Sequence, residues 1–271
     1  MNTTKNYWLA LGWGAARGLA HIWVIECLEK HNIKVLEISG TSMGALIGAA
    51  YAIWKTPDEM KQILADTSIL KLIDFDMKWG IFRGTKIEKL LESIFWETLL
   101  EECNIPLTIV ATELKNWDKH IFTSGKIKDA VRASISLPSV FTPATIWDQC
   151  YLDGWLNENL PVSVLKSDNI IAVSVIRESF DWEIPTHKTI FWFRVKRSFF
   201  KYNYQVMKRT IGIMMKNNED FHIELCRNTG KHITLIAPDV SEFEYFDFMK
   251  YEAISKLGYN EAERILKSKI Y

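Results

Sequence analysis

Glycine is scarce in this chain. Its 271 residues include 13 glycines, where an ordinary usage of ~7% would give about 19. Cysteine is sparse as well. Cys27, Cys103, Cys150 and Cys226 are widely separated and form no C-x-x-C pair, which gives no support to a zinc site, so they read as reduced, mostly buried thiols. Charge of one sign is missing: 33 basic residues balance 33 acidic ones. That balance argues against a general polyanion binder, nucleic acid included. Long apolar runs are also absent. Nothing approaches the ~20 residues a bilayer-spanning helix requires. The first apolar run, preceded by one Lys, ends at Gly12 and is too short for a signal peptide. The expected location is the cytoplasm, with peripheral contact at the inner membrane surface.

What is present suits a globular fold. Hydrophobic residues make up 48% of the chain and charged residues 24%, so a chain of this length buries a substantial core. Tyr7–Leu11 reads as a buried strand, and Leu19, Ile22, Trp23, Ile25 and Cys27 fit a helix that ends near Asn32. Val35–Ile38 is the next strand, and Ser39–Gly44 a tight turn. Ala45–Trp54, apolar nearly all round, is a helix in the middle of a fold. Thr56-Pro57-Asp58-Glu59 starts another helix. Further strands are expected at Leu107–Ala111, Asn169–Val175 and Thr189–Val195, with helices at Lys126–Ser134, Phe199–Arg227 and Tyr251–Lys267. This alternation predicts a three-layer α/β/α fold around a mainly parallel sheet. Residues 7–168 are expected to form the catalytic part, and 169–271 to complete the same fold.

Three segments carry chemistry. Gly40-Thr41-Ser42-Met43-Gly44 is a G-x-S-x-G. In a nucleophile elbow, a strand turns sharply into a helix, flanking glycines permit the strained backbone, and the serine hydroxyl stands above the sheet. The spacing alone arises by chance in roughly one such chain in ten. The expected strand before it and the small-residue helix after it decide for the elbow. Upstream lies Leu11-Gly12-Trp13-Gly14-Ala15-Ala16-Arg17-Gly18-Leu19-Ala20-His21. A small-residue loop between strand and helix leaves backbone N–H groups free for an anion. It could hold a phosphate, but no Lys-Ser/Thr follows as in a nucleotide-binding P-loop. Beside an elbow, the same amides make an oxyanion hole. The third segment is Tyr151-Leu152-Asp153-Gly154-Trp155, where Asp153 reads either as a general base or as an Asx turn.

Together and in this order, GWGAARGLAHI, GTSMGAL and YLDGWLNENLPV resemble the bacterial patatin-like phospholipases. VRASISLPSVFTPA (131–144) and the placement of GIFRGTKIEKLL (80–91) add to the likeness, which covers about residues 7 to 175. The resemblance implies a serine hydrolase acting on phospholipid or lysophospholipid esters through a Ser–Asp dyad, with no metal and no cofactor. Residue by residue, it makes Ser42 the nucleophile, Asp153 the base, and Gly40 and Gly44 the flanks of the elbow. Amides around Gly14, Ala15 and Ala16 become the oxyanion hole, with Arg17 supporting their loop. Gly154 and Trp155 complete the Asp-Gly motif, and His21 is structural.

The chain departs from that pattern at Trp13 and Trp155, where the family has glycine. Trp8, Trp23, Trp54, Trp79 and Trp117 also fall at family glycine positions, and Trp96 and Trp147 look like turn glycines. A bulky residue forced to positive φ costs on the order of 1–3 kcal/mol, and an indole at 13 or 155 would fill the site. Adding the 11 tryptophans to the 13 glycines restores an ordinary glycine content. This pattern is expected of a gene whose UGA codons are read as glycine in the cell and as Trp by a common translation table. The alternative is a diverged protein with a plugged site.

Rival functions remain at this level. An α/β-hydrolase esterase with a Ser-Asp-His triad would draw its histidine from His187, His222 or His232, all after Asp153. An inactive lipid-binding or regulatory protein is the second alternative, and a nucleotide-binding module the third. Residues 190–204 interleave aromatic and basic side chains suited to a bilayer interface; their plainer reading is a core strand leading into a surface helix. Ile69–Phe82 is a candidate flap.

Overall fold

The computed structural model describes residues 5–66, 75–76, 81–82, 84–176, 187–190, 193–196 and 199–270. Its centre is an eight-stranded sheet. Strands β1 (Lys5–Leu11), β2 (Ile33–Thr41), β5 (Leu107–Glu113), β9 (Asn169–Val173) and β12 (His232–Ile236) are mutually parallel, in the order β12-β9-β1-β2-β5. Beyond β5 the sheet turns antiparallel. β8 (Gln149–Asp153) pairs with β5, β7 (Ala144–Ile146) pairs with β8, and β6 (Lys119–Phe122) also pairs with β5. Two short antiparallel ribbons stand apart, β3 (Phe75–Asp76) with β4 (Ile81–Phe82) and β10 (His187–Ile190) with β11 (Phe193–Lys196). The single strand expected over 189–195 is thus a hairpin.

Alternation along the strands builds the layers, because successive side chains point to opposite faces. Leu9, Leu11, Ile171 and Val173 face a core shared with α1 (Ala20–Lys30), α2 (Met43–Ala52), α5 (Ile127–Ser134) and α7 (Tyr251–Ile270). Ala10, Ile170 and Ala172 face the other way, against Leu160, Val162 and Leu165 and against Ile223 and Cys226 of α6 (Phe199–Asn228). Residues buried on both sides of a sheet require the near-continuous apolar strands seen at β5 and β9. The result is the expected three-layer α/β/α fold.

Local signals set the helix starts. At α3 (Pro57–Asp66), the Thr56 amide donates to Glu59 Oε2 at 2.8 Å and the Glu59 amide donates to Thr56 Oγ1 at 3.2 Å. This reciprocal box satisfies two end amides, with Pro57 at the first helical position. Helix α4 (Thr85–Phe95) covers part of the same face. All four cysteines are free. Among the described residues, no helix is long and apolar enough to cross a membrane.

Candidate active site

Strand β2 delivers Ser42 to a sharp turn. Thr41 ends the strand, Ser42 takes φ 56° and ψ −120°, and α2 begins at Met43. The turn tolerates nothing but glycine at its flanks. A Cβ on Gly40 would stand 2.6 Å from the Ala45 backbone, and one on Gly44 only 2.1 Å from the Leu11 carbonyl oxygen. The Ser42 amide donates to Ser134 Oγ at 2.8 Å, and that hydroxyl donates to the Val110 carbonyl at 2.7 Å. Helix α5 therefore holds the elbow against β5.

Asp153 arrives from the opposite side of β5. Within that strand Val110 pairs with Thr41 and the adjacent Ala111 pairs with Asp153, so one strand separates the two residues. The segment after Asp153 is tied to β2 by Ser39 and Thr41, whose hydroxyls donate to the Pro161 and Glu158 carbonyls at 2.6 and 2.9 Å. Ser42 Oγ then donates to Asp153 Oδ2 at 2.7 Å, and the Trp155 amide donates to Oδ1 at 3.1 Å. Asp153 is therefore both the serine's partner and the cap of a short 3-10 helix at Gly154–Leu156.

Burial sets the electrostatics. Asp153 is fully enclosed, and loss of water raises its carboxyl pKa to about 7 against the bonds from Ser42, the Trp155 amide and the Trp13 side chain. A carboxyl in that range is partly ionised at neutral pH, as a general base requires.

The histidines do not join this pair. His21 is buried in α1, its Nε2 lies 2.9 Å from the Gly12 carbonyl oxygen, and burial pulls its pKa down to about 4. A neutral ring there donates Nε2–H to Gly12 and so props the loop. His222 lies against the Asn157 carbonyl and Glu158, and His232 starts the edge strand β12. The His187 side chain lies outside the described residues. Among the described residues, no imidazole is bonded to Ser42 or Asp153.

The loop after β1 lies above the elbow. The amides of Gly12 and Trp13 donate to the Val173 and Asn159 carbonyls, each at 3.0 Å. The Ala16 amide donates to the Tyr245 carbonyl at 3.0 Å, which removes it from the expected oxyanion donors. Among the described residues, no such backbone bond engages Gly14 or Ala15, and Ala15 takes a positive φ of 45°. Arg17 is buried, with its Nε donating to the Phe243 carbonyl at 2.7 Å and its guanidinium 4.5 Å from the Tyr245 ring centre. The segment Ser241–Phe248 therefore clamps the loop. Sequence reasoning missed this segment, which carries no motif; its only signal was a buried arginine in need of acceptors.

Expectations at Trp13 and Trp155 are corrected in one respect. Neither has positive φ, so neither is strained. Their bulk nonetheless crowds the site. Trp13 packs with Ile176 and Met215, and Trp155, Leu137 and Tyr245 adjoin that cluster. Gly154 sits so close to β5 that an added Cβ would stand 2.3 Å from the Val110 carbonyl oxygen.

Ser42 opens onto an apolar cavity of about 200 Å³. Helices α1 to α4 form its walls through Ile22, Leu46, Ile63 and Leu91, and Phe246 and Phe248 come from the clamp segment. Such a lining takes a hydrocarbon chain and offers little to a polar ligand.

A family model described as patatin-like phospholipase matches residues 9–166. The chain belongs to that family. Among its patatin-like relatives, an uncharacterized NTE family protein of Mycobacterium tuberculosis is 35% identical over 173 residues, 62% of this chain and 48% of that one. The chain thus spans about half the length of the first curated relatives it matches. Lysophospholipase NTE1 of the yeast Meyerozyma guilliermondii is 29% identical over 96% of this chain and 19% of the relative. In structure, the chain is similar to VipD from Legionella pneumophila, with TM-score 0.60 and 14% identity over 98% of this chain and 67% of that one. This last likeness shows the patatin-like fold alone.

Proposed function

We propose that this chain hydrolyses acyl esters of phospholipids or lysophospholipids through an acyl-enzyme on Ser42, with Asp153 as general base. The reading rests on the 2.7 Å bond from Ser42 Oγ to Asp153 Oδ2 at the end of an apolar cavity. The family supports it, and the name of the yeast lysophospholipase relative supports the substrate class.

The proposed steps are those the geometry supports. Asp153 takes the Ser42 proton as Oγ bonds to the ester carbonyl carbon. The Gly14 and Ala15 amides stabilise the negative oxygen of the tetrahedral intermediate, in a loop held by Arg17. The carbon–oxygen bond to the alcohol breaks, and Asp153 returns the proton to the leaving oxygen. Water, deprotonated by Asp153, then attacks the acyl carbon, the bond to Ser42 Oγ breaks as Asp153 returns the proton to that oxygen, and the fatty acid leaves. The acyl chain occupies the cavity, where each buried methylene contributes about 0.8 kcal/mol. No step draws on a cofactor or metal.

Contact with a lipid surface fits the cavity rim. Phe246, which lines the cavity, and Met249 beside it are both exposed, and apolar side chains around a site entrance favour a membrane interface. Of the two stretches singled out in the sequence, 69–82 lies largely outside the described residues, while the backbone of 190–204 falls on the end of β10, on β11 and on the start of α6, with nearly all of its side chains outside them.

Labelling with a serine-reactive fluorophosphonate and peptide mass spectrometry tests the reading. An adduct on the Ser42 peptide that disappears in Asp153→Asn is expected. An unlabelled Ser42 in folded protein would sink it. One observation favours a second reading: the buried Trp13 side chain lines the same cavity as Ser42 and crowds the proposed dyad. A protein so blocked would bind lipid without turnover, and its lipid affinity would survive Ser42→Ala.

A further inference from the structure

Nine non-glycine residues among those described have positive φ, and four of them are tryptophan: Trp54, Trp96, Trp117 and Trp147. The other five are Ala15, Asn32, Ser42, Ser139 and Asp148, small or hydrogen-bonding residues that tolerate this region best. Tryptophan is bulky and has no local reason to be there.

Each of the four occupies a different motif that calls for glycine. Helix α2 ends at Ala52. After it, the Trp54 amide donates to the Tyr51 carbonyl and the Lys55 amide to the Ala50 carbonyl, both at 3.0 Å, with Trp54 at φ 65°. This is the paired-bond helix ending in which the left-handed residue is usually glycine. Helix α6 ends with the same two bonds, Gly230 to Arg227 and Lys231 to Cys226, and there the left-handed residue is glycine, at φ 91°. Trp96 ends α4 at φ 48° and ψ −125°. Trp117, at φ 63°, closes the turn between β5 and β6. Trp147 and Asp148, at φ 49° and 64°, form the two-residue turn between β7 and β8, where both central residues need positive φ and glycine is favoured. All four indoles face water: their exposures are 62%, 72%, 79% and 94%. Strained backbone and stranded apolar surface coincide at each.

We infer that Trp54, Trp96, Trp117 and Trp147 are glycine in the protein as its own cell makes it, encoded by a codon that cell reads as glycine. The same substitution applies to residues 13 and 155 beside the dyad. There the mark lies in the site itself: the Trp155 indole N–H is buried without an acceptor among the described residues, and the buried Trp13 side chain takes up space in the cavity at Ser42. Trp8 and Trp23 have ordinary backbone and carry no such mark.

The consequence is a second arm of the substrate site, and this part rests on the proposed hydrolase reading. With glycine at 13 and 155, the volume of two indoles opens beside Ser42 into a cleft lined by Ile176, Met215, Leu137 and Tyr245. Its lining is mainly apolar, so it takes a second acyl chain of a diacyl phospholipid alongside the one in the cavity.

Peptide mass spectrometry of the protein purified from its source organism tests the residue assignment without reference to activity. Glycine at 54, 96, 117 and 147 is expected, and tryptophan at any of them would overturn it. Glycine at 13 and 155 is likewise expected, and tryptophan there would overturn the cleft. The cleft is tested separately by comparing the chain as written with its Trp13→Gly/Trp155→Gly variant on vesicles of diacyl phosphatidylcholine and on a short-chain soluble ester. A gain of tenfold or more in kcat/KM on the diacyl lipid, exceeding any gain on the short ester, is expected. Equal gains would overturn the second-chain site. Turnover of neither ester by either form would fell the hydrolase reading and the cleft with it, while the mass result stands.

Discussion

Ser42 and Trp96 share one backbone conformation, φ 56° and ψ −120° against φ 48° and ψ −125°, and live in opposite surroundings. Ser42 is buried, with its amide held by Ser134, its hydroxyl by Asp153, and β2 and α2 fixing the chain on either side. Trp96 stands at an exposed helix end. Strained backbone persists where neighbours over-determine it and where the strain serves a mechanism. The elbow meets the first, and under the proposed mechanism the second as well. The end of α4 meets neither, which is why the residue there, rather than the backbone, is the anomaly.

The largest effect that would sharpen the contrast is chemical. Ser42→Ala is expected to lower kcat on an acyl ester by on the order of 10⁴–10⁶-fold, whereas Trp96→Gly leaves kcat/KM unchanged; steady-state assays of both variants read the difference. Next comes the frame that holds the proposed oxyanion loop. Arg17→Ala removes the guanidinium from the Phe243 carbonyl and the Tyr245 ring, and kcat is expected to fall by roughly 10²-fold, the scale of an ångström-sized misplacement. A fall confined to KM would break that assignment.

The pH profile separates the two turns further. In the proposed mechanism Asp153 acts as base only when ionised, so log kcat/KM is expected to rise with unit slope up to about pH 7 and then level. Stability runs the other way. A carboxyl whose folded pKa is raised above its ordinary value of 3.8 holds its proton in the native state while the unfolded chain releases it. Between about pH 4 and pH 7 the fold therefore loses stability as activity appears. Asp153→Asn is expected to flatten that loss in thermal melts taken across the interval. No such trade attaches to Trp96, which has no titrating partner.

The smallest effects compare backbone relief at the two sites. Ser42→Gly and Trp96→Gly each remove a side chain from a region L-residues resist; Trp96→Gly is expected to raise stability by about 1 kcal/mol, and Ser42→Gly by less, because it also removes the hydrogen bond to buried Asp153. Only the first abolishes turnover. Chemical denaturation of both variants checks this, and a destabilised Trp96→Gly would break the comparison.

Much of this was legible in the sequence because the elbow is local. Small residues at 40, 44 and 45, a β-branched strand before them and an apolar helix after them fix Ser42 without long-range information. The glycine-like positions at 54, 96, 117 and 147 were visible as misfits, since turn chemistry is also local. Taken alone, Asp153 favours an Asx turn over a general base in the sequence, and in the structure it is both a helix cap and the hydrogen-bond partner of the serine. The antiparallel β7–β8 pair that carries it was not expected, because three- and five-residue strands leave little periodicity. The strain expected at Trp13 and Trp155 was misplaced: φ there is ordinary, and what those indoles disturb is space. The Ser241–Phe248 clamp stayed hidden because its contacts are made by backbone carbonyls, which any sequence supplies.

That clamp has a consequence for what counts as the catalytic unit. The family-matched stretch, residues 9–166, contains both members of the proposed dyad and every motif. Yet the Ala16 amide and the Arg17 guanidinium are fastened to carbonyls at 245 and 243, far downstream, and β9 and β12 are inner and outer staves of the same sheet. A fragment trimmed to the motif would keep its reactive groups and lose the brace that sets their spacing. Conversely, any force that tugs on the 241–248 segment reaches the loop at 14–17 directly, so under the proposed mechanism this strap is a handle on the chemistry beneath it.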